Sequence, residues 1–281
     1  MGIFSRMNIT IVGHGFVGKS LEYALDVRGN NIDIIDPKYG TDLEDIKADQ
    51  DFIFVCVPTP MSADGSVDSS IVLDITQKLV STTIMTNIVI KSTIPPDDAK
   101  SLSSKSFRVV YNPEFLTERN AIEDFINPIF HILGGVDYGY CVKVFDLYQN
   151  HSRCRPCEVF YMSAEEASFV KYGINTYLAS KTLWFNQFKD VIDNRSTGNF
   201  NKVINAIGSD PRVGYSHTQA PGFDNKRGFG GSCFPKDSKA FAKFAKDEFT
   251  VLNEVILANN AYRRDYSMDS REIEQKVNFK E

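Results

Sequence analysis

A lone cysteine lies in a glycine-rich stretch near the end of the chain, GFGGSCFPKD at residues 228–237. A core segment would not hold three glycines in ten residues, because glycine packs little and costs backbone entropy, whereas a loop that brings a thiol to a bound molecule would. Pro235 suits the first turn of a following helix, whose N-terminus, together with Lys236, would favour the thiolate form of Cys233. We predict that Cys233 is a nucleophile and that Asp237 is a base or orients water. The alternative is a buried structural cysteine.

Two further pairs of polar residues are spaced four apart, which puts each pair on one face wherever its segment is helical. Lys171 and Asn175 lie in a long helical pattern, SAEEASFVKYGINTYLASKTLWFNQFKDVID. This lysine either extends to water or, desolvated against a substrate, stabilises an oxyanion. Glu114 and Glu118 follow Pro113 in YNPEFLTERNAIEDF, where we expect Glu114 in a first helical turn. A helix dipole favours an acid there in any case, so a structural role also stays open.

A second glycine-rich motif, GHGFVG, follows the first strand-like run and opens a helical one. Gly13, Gly15 and Gly18 have the spacing that allows a tight turn, close approach of the backbone to a pyrophosphate, and helix–strand contact. Asp36 ends the next strand, where a carboxylate can hold both ribose hydroxyls and would repel a 2′-phosphate. The motif therefore predicts binding of NAD rather than NADP. An ordinary glycine-rich turn beside a surface aspartate is the alternative.

Two segments with proline follow later strands, CVPTP at residues 56–60 and KSTIPP at residues 91–96. Ligands of a doubly wound sheet lie outside the carboxyl ends of its strands, so Thr59 and Thr93 are candidates to contact the cofactor or a nearby water. Each segment taken alone is equally typical of a turn stabilised by proline.

The elements that must position these residues change in type near residue 163. Before it, six apolar runs alternate with helical or loop segments: NITIVG, NIDIID, DFIFVCVP, NIVIKST, FRVVYNP and HILGG. This alternation predicts an α/β fold, a Rossmann-type doubly wound parallel sheet. Ser163 and Glu166 have the spacing of a capping box at the start of the long helix. We therefore predict a dinucleotide-binding domain over residues 1–162 and an all-helical central domain over residues 163–281.

Composition excludes several classes of protein. The net charge of −5 leaves no basic excess to meet nucleic-acid phosphates, and no apolar run approaches the length of a membrane span. From the residues at its start we expect no secretory signal, and the five scattered cysteines predict free thiols in a reducing cytoplasm. Cys154 and Cys157 lack the further ligands that a zinc site needs, so we treat them as ordinary thiols and predict no metal site.

The motifs together resemble the UDP-glucose/GDP-mannose (nucleotide-sugar) dehydrogenase family, in order from about residue 7 to residue 264. GHGFVG, CVPTP, STIPP, NPEFLTE, KYGIN and GFGGSCFPKD all match motifs of that family. Relatives carry a third, nucleotide-binding domain after the central helices, so the resemblance is to a short form without the C-terminal UDP-binding domain. Arg119 and Asp97 stand where relatives usually have glycine.

The resemblance implies a site residue by residue. The catalytic set is Cys233, Lys171, Asn175, Asp237, Glu118 and Thr93. The cofactor-binding set is Gly13, Gly15, Phe16, Val17, Gly18, Asp36, Lys38, Val57, Pro58, Thr59, Thr93, Glu118 and Lys236. The substrate-binding set is Glu114, Phe115, Leu116, Lys171, Asn175, Arg212, Phe229 and Gly230.

The family's chemistry implies a role for the main members of these sets. Cys233 traps an aldehyde as a thiohemiacetal, which is then oxidised to a thioester. Lys171 and Asn175 steady the oxyanion at the reacting carbon, where a cation and an amide donor suit the developing charge. Asp237 and Glu118 hold and activate the water that hydrolyses the thioester.

The implied activity is that of a cytoplasmic UDP-glucose 6-dehydrogenase-like oxidoreductase, which uses NAD and supplies polysaccharide biosynthesis. The implied assembly is a homodimer through the central helices, in which Arg212 reaches the neighbouring site. One alternative is a two-electron β-hydroxyacid dehydrogenase, which also joins an NAD domain to a helical domain bearing a lysine and an asparagine one turn apart. Another is a half-enzyme that needs a second chain to bind nucleotide.

Overall fold

The computed structural model of the chain describes residues 6–27, 29–82 and 85–280. The chain divides into two compact units. Residues 1–59 and 68–171 form the first, and residues 60–67 and 172–281 form the second. The sequence predicted a division after residue 162. The first turns of the long helix α6, Ala164–Arg195, instead belong to the first unit, because Ala164 and Ala167 are buried in its apolar core.

The first unit is built on a seven-stranded sheet in the order β2-β1-β3-β4-β5-β6-β7. Strands β1 to β5 pair in parallel, as predicted, whereas β5 and β6 pair antiparallel and β6 and β7 pair parallel again. The two last strands therefore run against the first five. The strands are β1 (Asn8–Val12), β2 (Asn31–Ile35), β3 (Phe52–Val55), β4 (Asn87–Ile90), β5 (Val109–Tyr111), β6 (Phe130–Gly134) and β7 (Glu158–Met162).

The sequence analysis predicted six of these strands and missed β7. The missed strand lies at the edge of the sheet and pairs on one side only, with β6. All of its residues are exposed or half-buried, so it lacks the fully buried apolar run that marks the central strands. In β3 and β4, by contrast, all residues are buried.

Helices cover both faces of the sheet, because successive strand residues point to opposite sides. One apolar layer joins Ile9 and Ile11 of β1 to helices α1 (Phe16–Leu25) and α5 (Tyr138–Asn150). The other joins Ile53 and Val55 of β3 to helices α2 (Ser70–Ser81) and α3 (Pro96–Lys105). The short helix α4, Ala121–Ile126, adds Phe125 to the first layer.

The regular structure of the second unit is helical among its described residues, apart from a single bridge between Met61 and Val67, and a long loop joins α7 to α8. It contains the rest of α6, followed by α7 (Phe200–Gly208), α8 (Phe234–Ala245), α9 (Thr250–Arg263) and α10 (Ser270–Glu274). Small apolar clusters hold these helices together, for example that of Phe185, Phe200 and Ile204. No helix in the described part of the chain is both long enough and apolar enough to cross a membrane.

The start of α6 shows how closely sequence sets local structure. Ser163 Oγ accepts a hydrogen bond from Glu166 N at 3.2 Å, and the Glu166 carboxylate accepts from Ser163 N at 2.8 Å. These reciprocal bonds form the predicted capping box, which satisfies two backbone donors that the helix leaves without partners.

Candidate active site

Two of the three glycines of GHGFVG, Gly13 and Gly18, occupy positions where a side chain would clash with the backbone. Gly13 has a φ of +91°, and a Cβ there would lie 2.7 Å from the Cys56 carbonyl oxygen. A Cβ on Gly18 would lie 2.2 Å from the Gly13 carbonyl oxygen, so this glycine allows close contact between helix and strand. Gly15 differs, because a Cβ there would meet nothing within 4 Å. The open side at Gly15 fits the close approach of a pyrophosphate to the backbone.

Asp36 directly follows β2, at the position predicted for a ribose-binding acid. Its carboxylate accepts hydrogen bonds from His14 N at 2.7 Å and Lys38 N at 3.0 Å. Burial raises the pKa of Asp36, but these bonds and the Lys38 ammonium hold it below its ordinary value. The carboxylate is therefore ionised at neutral pH and attached to the glycine-rich turn, which fits a ribose and not a 2′-phosphate.

The remaining predicted cofactor contacts of the first unit lie at the same edge of its sheet. Phe16 and Val17 open α1 and are half-buried, while Val57, Pro58 and Thr59 directly follow β3. Thr93 follows β4 and is buried. The loops after β3 and β4 are tied together, because Ser92 Oγ donates a hydrogen bond to the Val57 carbonyl oxygen at 2.6 Å.

Glu114 and Lys171 form a buried ion pair in the first unit. Lys171 Nζ lies 3.2 Å from Glu114 Oε1 and donates to the Glu114 carbonyl oxygen at 2.7 Å. Both side chains are almost wholly buried, at 3% and 6% exposure. The other carboxylate oxygen, Oε2, accepts from Leu116 N at 2.6 Å, so the acid also shapes the segment that contains Phe115. The structure brings together two residues that the sequence could place only separately.

The expectation that Glu114 and Glu118 share a helix face is wrong. Residues 112–117 are not helical, and Glu118 instead opens a short 3₁₀ turn, Glu118–Asn120, before α4. The reason is local, since Glu114 uses its carboxylate on Leu116 N in an extended segment rather than on a helix start. Glu118 is half-buried.

In the second unit, Cys233 is the N-cap residue of α8, with Pro235 in the first turn. The Cys233 carbonyl oxygen accepts from Asp237 N at 2.8 Å, and the thiol lies 3.4 Å from Ser232 Oγ. The thiol is half-buried. Cys233 thus lies at a helix N-terminus, as its sequence context predicted.

Asp237 is at the centre of a buried polar group one turn along α8. Its Oδ1 accepts from Lys236 Nζ at 2.6 Å, and its Oδ2 accepts from Asn175 Nδ2 at 2.6 Å. All three residues are at least nine-tenths buried. Sequence placed Lys236 in the cofactor set and Asn175 beside the thiol, and the structure joins both to the same carboxylate.

Three residues predicted to contact substrate, Phe229, Gly230 and Arg212, have contacts outside the two buried polar groups described above. The Phe229 ring packs in a buried cluster with Ala179 and Leu183, and Gly230 faces side chains of the helices behind the loop. Arg212 is 88% exposed and forms an ion pair with Asp210 at 2.6 Å.

Sequence reasoning missed two buried polar side chains near these sites. The His14 ring contacts Tyr39 Oη and Glu22 Oε2, each at 2.8 Å, and so braces the glycine-rich turn. Lys91 follows β4, donates to Asn112 Oδ1 at 2.9 Å, and is 4% exposed. Burial lowers the pKa of Lys91 to about 8, although the nearby acidic groups, Cys56 and Glu114 among them, act to raise it. A lysine directly after a fully apolar strand was the signal that could have revealed it.

Comparison with known proteins identifies the family to which the two parts of the chain correspond. Residues 38–152 match the NAD binding domain of the UDP-glucose/GDP-mannose dehydrogenase family, and residues 165–261 match its central domain. A UDP-glucose 6-dehydrogenase of Rickettsia bellii (strain RML369-C) is 28% identical, over 94% of this chain and 69% of the relative. Several curated relatives are matched over only 46 to 69% of their length, so the chain corresponds to part of each.

Solved structures show the same fold. The chain resembles a UDP-glucose dehydrogenase from the archaeon Pyrobaculum islandicum, with a TM-score of 0.75, 24% identity, and coverage of 92% of this chain and 68% of that one. It also resembles Mycobacterium tuberculosis 3-hydroxyisobutyrate dehydrogenase, with a TM-score of 0.68, 14% identity, and coverage of 92% and 94%. Because both domains of one family are matched in chain order, the chain belongs to the NAD-dependent UDP-glucose/GDP-mannose dehydrogenase family.

Proposed function

We propose that the protein oxidises the primary alcohol of a nucleotide sugar, UDP-glucose, to a carboxylate in two NAD-dependent steps. The observation that carries this proposal is the second unit's Cys233 at the N-terminus of α8, with Asp237 buried one turn further on. An alcohol dehydrogenase that stops at the aldehyde needs no thiol. An enzyme that continues to the acid needs a nucleophile to hold the aldehyde and a group to direct water.

NAD, when bound, supplies the hydride acceptor for each oxidation. The protein's task in the first oxidation is to hold the alcohol and to stabilise the negative charge that develops on its oxygen. We assign this to Lys171, whose ammonium is buried and has carboxylate and carbonyl partners at one end of the NPEFL segment. Glu114 keeps this ammonium oriented and takes the proton that the alcohol loses.

Cys233 then attacks the aldehyde carbon: a C–S bond forms, the carbonyl π bond breaks, and the oxygen takes up the proton that the thiol loses, which gives a thiohemiacetal. Loss of a second hydride from the same carbon to a second NAD, with loss of the hydroxyl proton to solvent, gives a thioester. Water attacks the thioester carbon, the C–S bond breaks, and the thiol and the carboxylate are released. Asp237 suits the last step, because it is a carboxylate fixed by Lys236 and Asn175 at 2.6 Å each and can take the proton of that water.

An exposed apolar stripe on α6 supports a homodimer. Tyr177, Trp184 and Val191 recur every seven residues, which puts them on one face of the helix, and each is more than half exposed. A second copy of the chain would remove this surface from water. Arg212 is 88% exposed, and its ion-pair partner Asp210 lies only two residues away, so its guanidinium is accessible to a neighbouring copy.

The second candidate is a two-electron oxidation of a β-hydroxy acid. The fold likeness to 3-hydroxyisobutyrate dehydrogenase favours it, since that chain is covered almost completely. The two candidates differ in stoichiometry, because a β-hydroxy acid yields one NADH per molecule and has no thioester.

The test is to incubate the purified chain with NAD and limiting UDP-glucose and to follow NADH absorbance. Cys233→Ser is measured beside wild type, with Cys157→Ser as the control, since Cys157 is another half-buried thiol. We expect two NADH per sugar from wild type and from Cys157→Ser, and no net carboxylate from Cys233→Ser. Full turnover by Cys233→Ser, or turnover of 3-hydroxyisobutyrate at one NADH per molecule, would contradict the proposal. No turnover with UDP-glucose or GDP-mannose would favour a half-enzyme that needs a second chain.

A further inference from the structure

The loop before Cys233 is held by side chains of three different helices of the second unit. Gly228 N donates to Asn186 Oδ1 of α6 at 3.0 Å, and Phe229 N donates to Asn259 Oδ1 of α9 at 2.7 Å. Gly231 N donates to Glu272 Oε1 of α10 at 3.1 Å. Three backbone donors in four residues therefore depend on side-chain oxygens, because the loop forms no helix or strand that would satisfy them.

Glu272 is the charged member of this set, and it is 1% exposed. Its second oxygen, Oε2, accepts from Asp269 N at 3.0 Å in the capping box of α10. Its Oε1 lies 3.7 Å from Arg263 NH1, and Arg263 is itself buried and donates from NH2 to the Gly228 carbonyl oxygen at 3.0 Å. Arg263 has a closer counter-charge in Asp224, at 2.6 Å. The acceptor oxygen that Glu272 presents to Gly231 therefore matters more than its charge.

The loop residues leave space for this arrangement. A Cβ on Gly230 would lie 2.5 Å from both Arg263 NH1 and Glu272 Oε1, so only glycine lets the two side chains reach the backbone. Gly231 has a φ of +83°, a conformation that other residues rarely adopt, and it lies two positions before Cys233. A loop of glycines has little stiffness of its own, so the contacts from behind must fix its conformation.

We propose that Glu272 is a positioning residue for Cys233, acting through the Gly231 amide. It lies outside the part of the chain that matches the family's central domain, which ends at residue 261. The inference rests on the proposed function for its effect on rate, but the anchoring of the loop is testable without any substrate.

The test compares Glu272→Asp, Glu272→Gln and the control Glu274→Gln in the full chain. Asp keeps the charge but withdraws the carboxylate by one methylene. Gln keeps the reach and one acceptor oxygen, which the two donors Gly231 N and Arg263 NH1 hold at the loop, while the bond from Asp269 N is lost. Glu274 lies on the same short helix and is exposed. Two quantities are measured: amide hydrogen exchange of residues 228–233 without ligand, and kcat and KM for NAD with UDP-glucose.

With Glu272→Asp we expect exchange of the loop amides to become at least tenfold faster and kcat to fall at least tenfold, with KM for NAD within twofold. With Glu272→Gln the exchange rate of the loop amides and kcat should each stay within threefold of wild type. Glu274→Gln should match wild type in both. Unchanged exchange in Glu272→Asp, or loss of protection and kcat in Glu272→Gln, would overturn the proposal. If Glu272→Asp does not fold, the Gln variant alone decides. If wild type turns over no nucleotide sugar, the proposed function fails while the exchange data still decide whether Glu272 anchors the loop.

Discussion

The pair formed by Lys236 and Asp237 allows a quantitative test of what a buried charge does in this protein. The two side chains are 6% and 1% exposed and 2.6 Å apart. Removal of one partner of such a pair costs about 3–5 kcal/mol, because the other charge is left away from water. We expect Lys236→Met to lie near the lower limit, since Asp237 keeps Asn175 Nδ2 at 2.6 Å. Asp237→Leu should lie near the upper limit, because it leaves the ammonium without its counter-charge.

The double variant Lys236→Met/Asp237→Leu decides between two accounts of the pair. Apolar residues of similar volume often replace a buried ion pair at little or no cost, but the double variant also leaves the buried Asn175 Nδ2 without its acceptor, so we expect it to lose about 1–3 kcal/mol. If the two losses were independent, the double variant would lose their sum, about 8 kcal/mol. The coupled and the additive accounts therefore predict losses for the double variant that differ by several kcal/mol, which unfolding measurements resolve.

The assay is urea unfolding followed by fluorescence of Trp184, the only tryptophan of the chain, which lies in the same unit. A matched cycle on Lys189 and Asp193 gives the scale for an exposed pair, whose atoms lie 2.8 Å apart on α6. That cycle should give a coupling of about 0.3–0.5 kcal/mol. Additive losses at Lys236 and Asp237, or equal coupling in the two cycles, would refute the reasoning.

Three further outcomes follow from contacts elsewhere in the chain. Gly18→Ala should destabilise the first unit, because its Cβ would overlap the Gly13 carbonyl oxygen, whereas Gly15→Ala should keep stability but lose NAD affinity by titration; equal stability of the two variants would contradict this. The pKa of Lys91 is about 8 in the folded protein and 10.5 in the unfolded chain. Between these two pH values the unfolded state therefore binds more protons than the folded state. Wild type should therefore gain about 2 kcal/mol in unfolding free energy relative to Lys91→Met from pH 8 to pH 10, and a flat difference would count against it. Trp184→Glu should shift sedimentation from dimer to monomer, and an unchanged dimer would exclude the α6 stripe as the interface.

Sequence predicted the features that depend on neighbours along the chain. The turn with Gly13, Gly15 and Gly18 needs only a strand, a tight turn and a helix in succession, all within one short segment. The capping box of Ser163 and Glu166 depends on residues three apart. The N-cap position of Cys233 was readable from Pro235 and the helical pattern after it. In each case short-range sterics or hydrogen bonds determine the conformation.

The features that sequence did not predict depend on partners far along the chain or on a competing local bond. Lys171 meets Glu114 across 57 residues, and Asn175 meets Asp237 across 62. Periodicity places each residue on a helix or near a strand end, but it does not say which side chain comes to it. Strand β7 was missed for a related reason, because its stability comes from pairing with β6 rather than from an apolar run of its own.

Stability alone does not explain why this chain buries so many charges. Glu114 with Lys171, and Lys236 with Asp237, occupy positions that apolar side chains could fill at about equal or lower free energy. A chain selected only to fold would replace them, so their presence at the loop that follows β5 and at the start of α8 is better explained by chemistry. The double variant of Lys236 and Asp237 separates the two reasons within one molecule. It should stay folded, with far less than the summed loss of the two single variants, and yet produce no carboxylate, because the group that directs water onto a thioester is gone.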